Sequence, residues 1–327
     1  MVRRGLIVGK FYPPHRGHKH LIDTARAQVD ELFVIVCGKE GEVPTGELRA
    51  KWLREIHPDA RILYLDDTDD ARDSRVWAEN SLRLIGRAPD VVFTSEDYGD
   101  EFARRFGCRH VQVDRARATV PVSATRVRAD PLGCWEFLEP PVRGFYAARV
   151  CVVGAESTGK TTLAQDLARH FATVWVPEYG REYSERKLVA EGGYDFSPEE
   201  FAHIAARQCE LEEEAARRAN RILVCDTDAF TTAIWHRRYM GARSPEVEEI
   251  AAHQRRPDLY LLTDISTPFV QDGTRDGEHV REWMHELFVA ELRAQGRPYR
   301  RVAGARGERL GQAVGYIEEL LKGFERG

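Results

Sequence analysis

Residues 154–161 read GAESTGKT. Glycines at Gly154 and Gly159 let successive N–H groups turn toward one point, and such a cup of donors binds an anion. Lys160 directly behind it would reach the β- and γ-phosphates of a nucleoside triphosphate, and the Thr161 hydroxyl would ligate Mg²⁺. Glu156, Ser157, Thr158 and Thr162 complete the run. A second run, GKFYPPHRGH at 9–18, sets two imidazoles, His15 and His18, around Gly17. Imidazoles beside a helix start donate hydrogen bonds to phosphate oxygens as charge builds in a transition state. A zinc reading of the same pair lacks further ligands nearby. His20 reads as a helix-surface residue.

Each run has partner segments. PVSATRVRADP (121–131) offers Ser123 as a helix cap, with Thr125 and Arg128 on the first turns. Hydroxyls and an arginine at a helix start suit the pyrophosphate end of ATP. Gly9, Lys10 and Phe11, where the first strand ends, are expected in the same ATP site. In the second half, Asp226 closes the apolar run RILVCD, a position for a metal-linked carboxylate beside Thr161. Acceptor-binding groups are expected at strand ends. Glu178 and Tyr179 with Arg181 form one such cluster, and Asp226-Thr227-Asp228 another. A carboxylate there could take the proton of an attacking hydroxyl. QDGTRDGEHVR (271–281) supplies Arg275 and Arg281 as cations able to close over a transferring phosphoryl group. No N-K-x-D guanine motif appears, so a small-molecule kinase is favoured over a GTPase.

Both runs need a strand before them and a helix after them. GLIVG (5–9) precedes the histidines and a helix follows over about 17–29. Apolar strands at 31–38, 61–66, 90–95 and 110–114 alternate with helices at 45–56, 77–86 and 98–106. This alternation predicts βαβ units and a doubly wound parallel sheet. LEPPVRGFYAA (138–148) reads as an extended linker, because X-Pro disfavours helix. The alternation then restarts with a strand at 149–154, a helix at 160–171 and a strand at 173–178. A long helix over 198–219 and strands at 221–226 and 259–264 follow. The expectation is α/β, two doubly wound domains: 1–145, Rossmann-like, and 146–327, a P-loop kinase.

Composition bounds the rest. The 327 residues are 43% hydrophobic and 31% charged, values of a globular chain rather than a disordered one. A net charge of -5 argues against a dedicated nucleic-acid binder. The six cysteines lack CxxC or metal-type spacing and read as reduced thiols. No apolar run reaches the ~18 residues of a membrane span, and the N-terminus does not resemble a signal peptide. A cytoplasmic enzyme without membrane or DNA partners is expected, with homo-oligomerisation left open.

H-x-G-H at 15–18 with S-x-T-x-x-R at 123–128 resembles the nucleotidyltransferase superfamily. With GAESTGKTTL (154–163), PEYGRE (177–182) and DTDxxTT (226–232), nearly the whole chain resembles the bifunctional bacterial nicotinamide-mononucleotide adenylyltransferase / ribosylnicotinamide kinase family. The resemblance implies ATP-dependent phosphorylation of ribosylnicotinamide in the second domain. It implies adenylyl transfer to nicotinamide mononucleotide in the first, giving NAD and pyrophosphate. Carried over, His15 and His18 contact the ATP phosphates, Ser123, Thr125 and Arg128 hold the β/γ end, and Trp77 stacks on the nicotinamide. Some members carry an N-terminal helix-turn-helix domain. Here the first strand starts by Leu6, so DNA-binding regulation by that route is not expected. Two other readings remain: the same chemistries on a coenzyme A precursor, and a nucleotide sensor whose first domain is inactive.

Overall fold

The computed structural model describes residues 2–66, 74–191, 195–269 and 278–324. The chain divides into two compact units, the first ending at Arg143 and the second running Gly144–Phe324.

In the first unit, apolar β-branched runs form parallel strands and amphipathic segments form the crossovers. In chain order these are β1 (Arg4–Gly9), α1 (Arg16–Arg26), β2 (Glu31–Gly38), α2 (Gly46–Ile56), β3 (Arg61–Asp66) and α3 (Ser74–Ile85). β4 (Val91–Thr94), α4 (Gly99–Phe106), β5 (Arg109–Gln112) and α5 (Ala124–Ala129) follow. The sheet order is β3-β2-β1-β4-β5, all parallel. Alternate residues of each strand face opposite layers. Ile7, Val34, Val36 and Phe93 pack with Leu21, Ile22 and Ala25 of α1. Leu6, Val8, Phe33 and Ile35 pack on the other face with Ala78, Ile85 and Phe102. Both faces are buried, which is why the strands read as continuous apolar runs. Strand order reverses between β1 and β4, and that is where a crevice opens at the carboxyl ends of the strands.

The segment expected to be an extended linker is instead partly helical, as α6 (Pro140–Tyr146). The two prolines occupy its first turn, where N–H groups have no intrahelical partner and their loss costs nothing. Glu139 O accepts from Val142 N and Arg143 N at 2.9 Å each, and the helix proceeds from there.

The second unit repeats the logic with β6 (Ala148–Val153), α7 (Lys160–His170), β7 (Trp175–Val176), α8 (Tyr179–Glu191) and α9 (Pro198–Ala216). β8 (Ile222–Asp226), α10 (Ala229–Met240), α11 (Pro245–His253), β9 (Leu259–Thr263), α12 (Arg281–Ala294), β10 (Tyr299–Val302) and α13 (Arg306–Lys322) complete it. Its parallel order is β10-β9-β6-β8-β7, with β6 central. All five β6 positions paired to β8 are in register with its carboxyl end, so Val152 stands opposite Asp226. The loop after β6 and the end of β8 therefore meet. Among the described residues, no helix is long and apolar enough to cross a membrane. Cys37, Cys134, Cys151 and Cys225 are buried, and all six cysteines are unbridged.

Candidate active sites

The first cleft lies at the carboxyl ends of β1 and β4. Gly9, Lys10, Phe11, His18, Trp77 and Arg128 all line it, so residues far apart in sequence converge there. His15 sits under this wall, only 6% exposed, with its ring stacked on His18 at 3.7 Å between centroids. The His15 Nδ1 caps α1, accepting from Gly17 N at 3.1 Å and His18 N at 3.4 Å. The His18 Nδ1 in turn accepts from His15 N at 3.3 Å. Each neutral imidazole must then carry its proton on Nε2, which leaves two N–H donors for phosphate oxygens. Burial, reinforced by the charge of Arg117, pushes the His15 imidazole down to about 4. Burial and the neighbouring His15 hold His18 well below the ordinary histidine range. Both rings are therefore neutral donors at pH 7. Gly17 lets the His15 ring lie close, since a Cβ there would meet it at 3.0 Å, tighter than ordinary contact.

Ser123 caps α5, accepting from Arg126 N at 3.2 Å. Thr125 Oγ1 accepts from Arg128 Nη2 at 3.3 Å. Arg128 also donates to the Tyr12 carbonyl and lies 4.8 Å over the Tyr12 ring. Trp77 meets Tyr98 edge-on at 6.4 Å, and Tyr98 is anchored by donating to Val8 O at 2.8 Å. Sequence reasoning missed Arg49. Its side chain is fully buried, pairs with Glu42, donates to Lys10 O and stacks 4.7 Å over Tyr12. Arg49 thus fixes the loop between β1 and α1. Nothing in an α2 reading of GELRAKWLREI marks that position as interior.

In the second unit the cradle is built as its sequence requires. Gly154 has φ +144, and a Cβ there would lie 2.3 Å from Thr263 Oγ1. Thr158 is fully buried and closes the loop on itself, donating to Ala155 O at 2.8 Å and meeting Thr263 Oγ1 at 2.7 Å. Lys160 Nζ donates to Ala155 O at 3.0 Å. The Thr161 hydroxyl donates to Asp226 Oδ2 at 2.5 Å. The other oxygen, Asp226 Oδ1, is buried without a hydrogen-bond partner.

Two cavities flank this loop. One is bounded by Ser157, Thr158, Gly159, Lys160, Thr161 and Thr162 together with Glu178 and Arg181. The other is walled by Phe196, Phe201, Trp235 and Tyr239, with Glu156 and Gln208 among its polar groups. Ser157, Lys160, Glu178 and Arg181 line both. Burial pushes the Glu178 carboxyl up to about 7, opposed by the charge of Lys160. Burial likewise raises Asp226, again opposed by Lys160.

Two expected residues, Asp228 and Tyr179, are held by hydrogen bonds outside both cavities. Asp228 is 1% exposed and caps α10, accepting from Thr231 N at 2.9 Å and Tyr260 Oη at 2.6 Å. It lines neither cavity, whereas Asp226 reaches the phosphate loop through the Thr161 hydroxyl and keeps one oxygen unpartnered. Tyr179 also lines neither cavity. Its N–H donates to Gln208 Oε1 at 3.0 Å and its hydroxyl meets His203 Nε2 at 3.3 Å. Arg281 is 5% exposed and donates to Thr267 O at 2.7 Å and, at 3.5 Å, to Ser157 O of the phosphate loop. It is held against the loop rather than poised in solvent. Arg275 lies outside the described residues. Gln208 and the four aromatic walls were not singled out from sequence, because aromatic residues on α9 and α10 read equally well as core.

Comparison with known proteins assigns each unit. Residues 6–130 match the cytidylyltransferase-like family and residues 149–309 match the AAA domain family. The "Trifunctional NAD biosynthesis/regulator protein NadR" of Escherichia coli is 30% identical over 314 residues, spanning 88% of this chain and 76% of that protein. The chain belongs to the NadR family. Its fold is that of a NadR crystal structure described as a complex with NR, with TM-score 0.81, 23% identity, and coverage of 100% of this chain and 98% of that one. The "Nicotinamide-nucleotide adenylyltransferase" of Thermococcus kodakarensis is 27% identical over 154 residues, 43% of this chain and 79% of that protein.

Proposed function

We propose that the chain is a two-site enzyme of NAD biosynthesis. The second unit phosphorylates ribosylnicotinamide with ATP. The first transfers AMP from ATP to nicotinamide mononucleotide, giving NAD and pyrophosphate. The observation that carries the kinase reading is that the phosphate cradle and the aromatic-walled pocket share Lys160 and Glu178. A phosphate donor in one and a hydroxyl acceptor in the other would meet at those two side chains.

In the kinase, the Gly154–Thr162 backbone and Lys160 hold the donor phosphates, and Lys160 neutralises charge as the phosphoryl group moves. The planar aromatic walls suit a pyridinium ring, since a cation over an aromatic face is attracted by its quadrupole. Glu178 takes the proton of the attacking hydroxyl. Mg²⁺ fits the site on the strength of the unpartnered, buried Asp226 Oδ1 beside the Thr161 hydroxyl. Thr161 and Asp226 would hold the ion, which takes few protein ligands and completes its shell with phosphate and water. When bound it screens the charge of the phosphates. Because Glu178 must be ionised to act and its carboxyl sits at about 7, kinase kcat/KM is expected to fall as pH drops through about 7. Glu178→Gln should flatten that limb and cost about a hundredfold or more in rate. A pH–rate profile of both proteins checks this, and an unchanged limb in the variant would reassign the base.

In the first unit no covalent intermediate is needed. The mononucleotide phosphate attacks the α-phosphorus of ATP, while the protein positions the two and donates hydrogen bonds from His15 and His18. Trp77 offers its face to the nicotinamide. Trp77→Ala should raise the KM for the mononucleotide about tenfold, near 1.4 kcal/mol, and leave the KM for ATP within about twofold. Steady-state kinetics in both substrates test it, and a change in the ATP constant alone would exclude the stacking role.

A further inference from the structure

We propose that Arg117 is a further triphosphate-binding residue of the first unit, held by Glu96 until ATP enters the cleft. The inference rests on the adenylyltransferase reading and adds a positive charge to those of Lys10 and Arg128, which line the cleft. His15 and His18 supply hydrogen-bond donors but no positive charge, since both are neutral. Two carboxylates, Glu42 and Glu96, line the same cleft and would repel a triphosphate. Each is paired with a cation. Glu42 pairs with the buried Arg49 and lies 3.5 Å from Lys10 Nζ through Oε1, and Arg117 Nη2 lies 3.3 Å from Glu96 Oε1. Lys10 is expected from sequence at the ATP site, whereas Arg117, which reaches the cleft through its pairing with the lining residue Glu96, has no assigned role.

The backbone holds Arg117 in place. The Asp114 carboxylate accepts from Ala118, Thr119 and Val120 N–H at 2.8, 3.1 and 3.1 Å. Arg117 N donates to Asp114 O at 2.8 Å. This turn puts Arg117 at φ +53, a left-handed conformation that glycine or asparagine adopts more readily. An arginine kept there needs a reason other than backbone comfort. Its charge reaches the buried histidine pair, where it helps to hold both rings neutral. The Arg117–Glu96 pair is half exposed at 50% and 58%. Such pairs are weak, so a phosphate of higher charge displaces Glu96 readily. Arginine then engages the phosphate through its planar fork.

The test compares Arg117→Gly with Arg117→Lys in the full chain, using Mg-ATP and nicotinamide mononucleotide. If charge matters, the lysine variant keeps adenylyl transfer within about fivefold of wild type, and the glycine variant raises the KM for ATP about tenfold or more. The KM for the mononucleotide stays within about twofold in both. If Arg117 serves only the turn, the order reverses, because glycine accepts the positive φ better than lysine. That reversal, or a KM effect confined to the mononucleotide, overturns the proposal. The kinase rate of each variant reports on folding of the chain. Wild-type adenylyl transfer in the same assay stands or falls with the broader reading, independently of the ratio between variants.

Discussion

Lys160→Ala is expected to lower the kinase rate by about a thousandfold, roughly 4 kcal/mol of transition-state stabilisation, and to leave adenylyl transfer within about twofold of wild type. Lys160 is 9% exposed and lines both cavities of the second unit. In the proposed kinase reaction its ammonium meets the transferring group. Its removal also takes from Glu178 and Asp226 the stronger of the two cations that oppose their raised pKa values, leaving Arg181 alone. The residual activity should therefore show an acid limb displaced to higher pH, since each carboxyl becomes harder to ionise. Lys160→Arg should not rescue, because a planar fork cannot replace a compact ammonium inside a closed loop. Separate assays for mononucleotide formation and for NAD formation give the result. A parallel loss of both activities would contradict the assignment of Lys160 to one site.

The complementary expectation concerns His18. His18→Ala should depress adenylyl transfer by about a hundredfold to a thousandfold, the usual cost of one preorganised donor aimed at developing charge. ATP binding should weaken far less, and the kinase should be unaffected. His18 is the better target of the pair. His15 also caps α1 through its Nδ1, so His15→Ala would add a cap loss of about 1 kcal/mol to any catalytic effect. In His18→Ala the His15 cap stays, and only the stacked partner and its Nε2–H are gone. Quench-flow rates together with an equilibrium titration of ATP separate the two contributions. An unchanged rate would remove His18 from the mechanism.

All five strands of the first sheet and four of the second are legible in the sequence, for a physical reason, while β10 (YRRV) is missed because its arginines break the apolar run. Strands buried on both faces are written as short continuous apolar runs, such as RVCVVG and RILVCD, and each run is set off by a polar loop. The phosphate loops were legible because glycine, lysine and hydroxyl spacing there answers to a ligand rather than to packing. What stayed hidden depends on long-range placement. α6 was read as linker because proline disfavours a helix interior, yet Pro140 and Pro141 stand in the first turn, where proline is at home. The aromatic pocket walls Trp235 and Tyr239 lie on α10, where the same spacing serves an ordinary core. The end of RILVCD marks Asp226 for the metal, but nothing in the sequence says what Asp228 does. Only the register of β8 against β6 turns Asp226 toward the cradle, while Asp228 becomes a buried helix cap. Arg49 looks like an exposed helix arginine until the β1–α1 loop is seen wrapped around its guanidinium.

The central claim is that one chain carries two separate phosphate-transfer sites whose product and substrate coincide. It is tested most directly by giving the purified protein ribosylnicotinamide and Mg-ATP as sole substrates and following mononucleotide, NAD and pyrophosphate over time. The account predicts that the mononucleotide appears first and NAD follows, with one pyrophosphate released for each NAD formed. Mononucleotide that accumulates without NAD, even when supplied directly with ATP, would contradict it and leave a kinase joined to a nucleotide-binding domain.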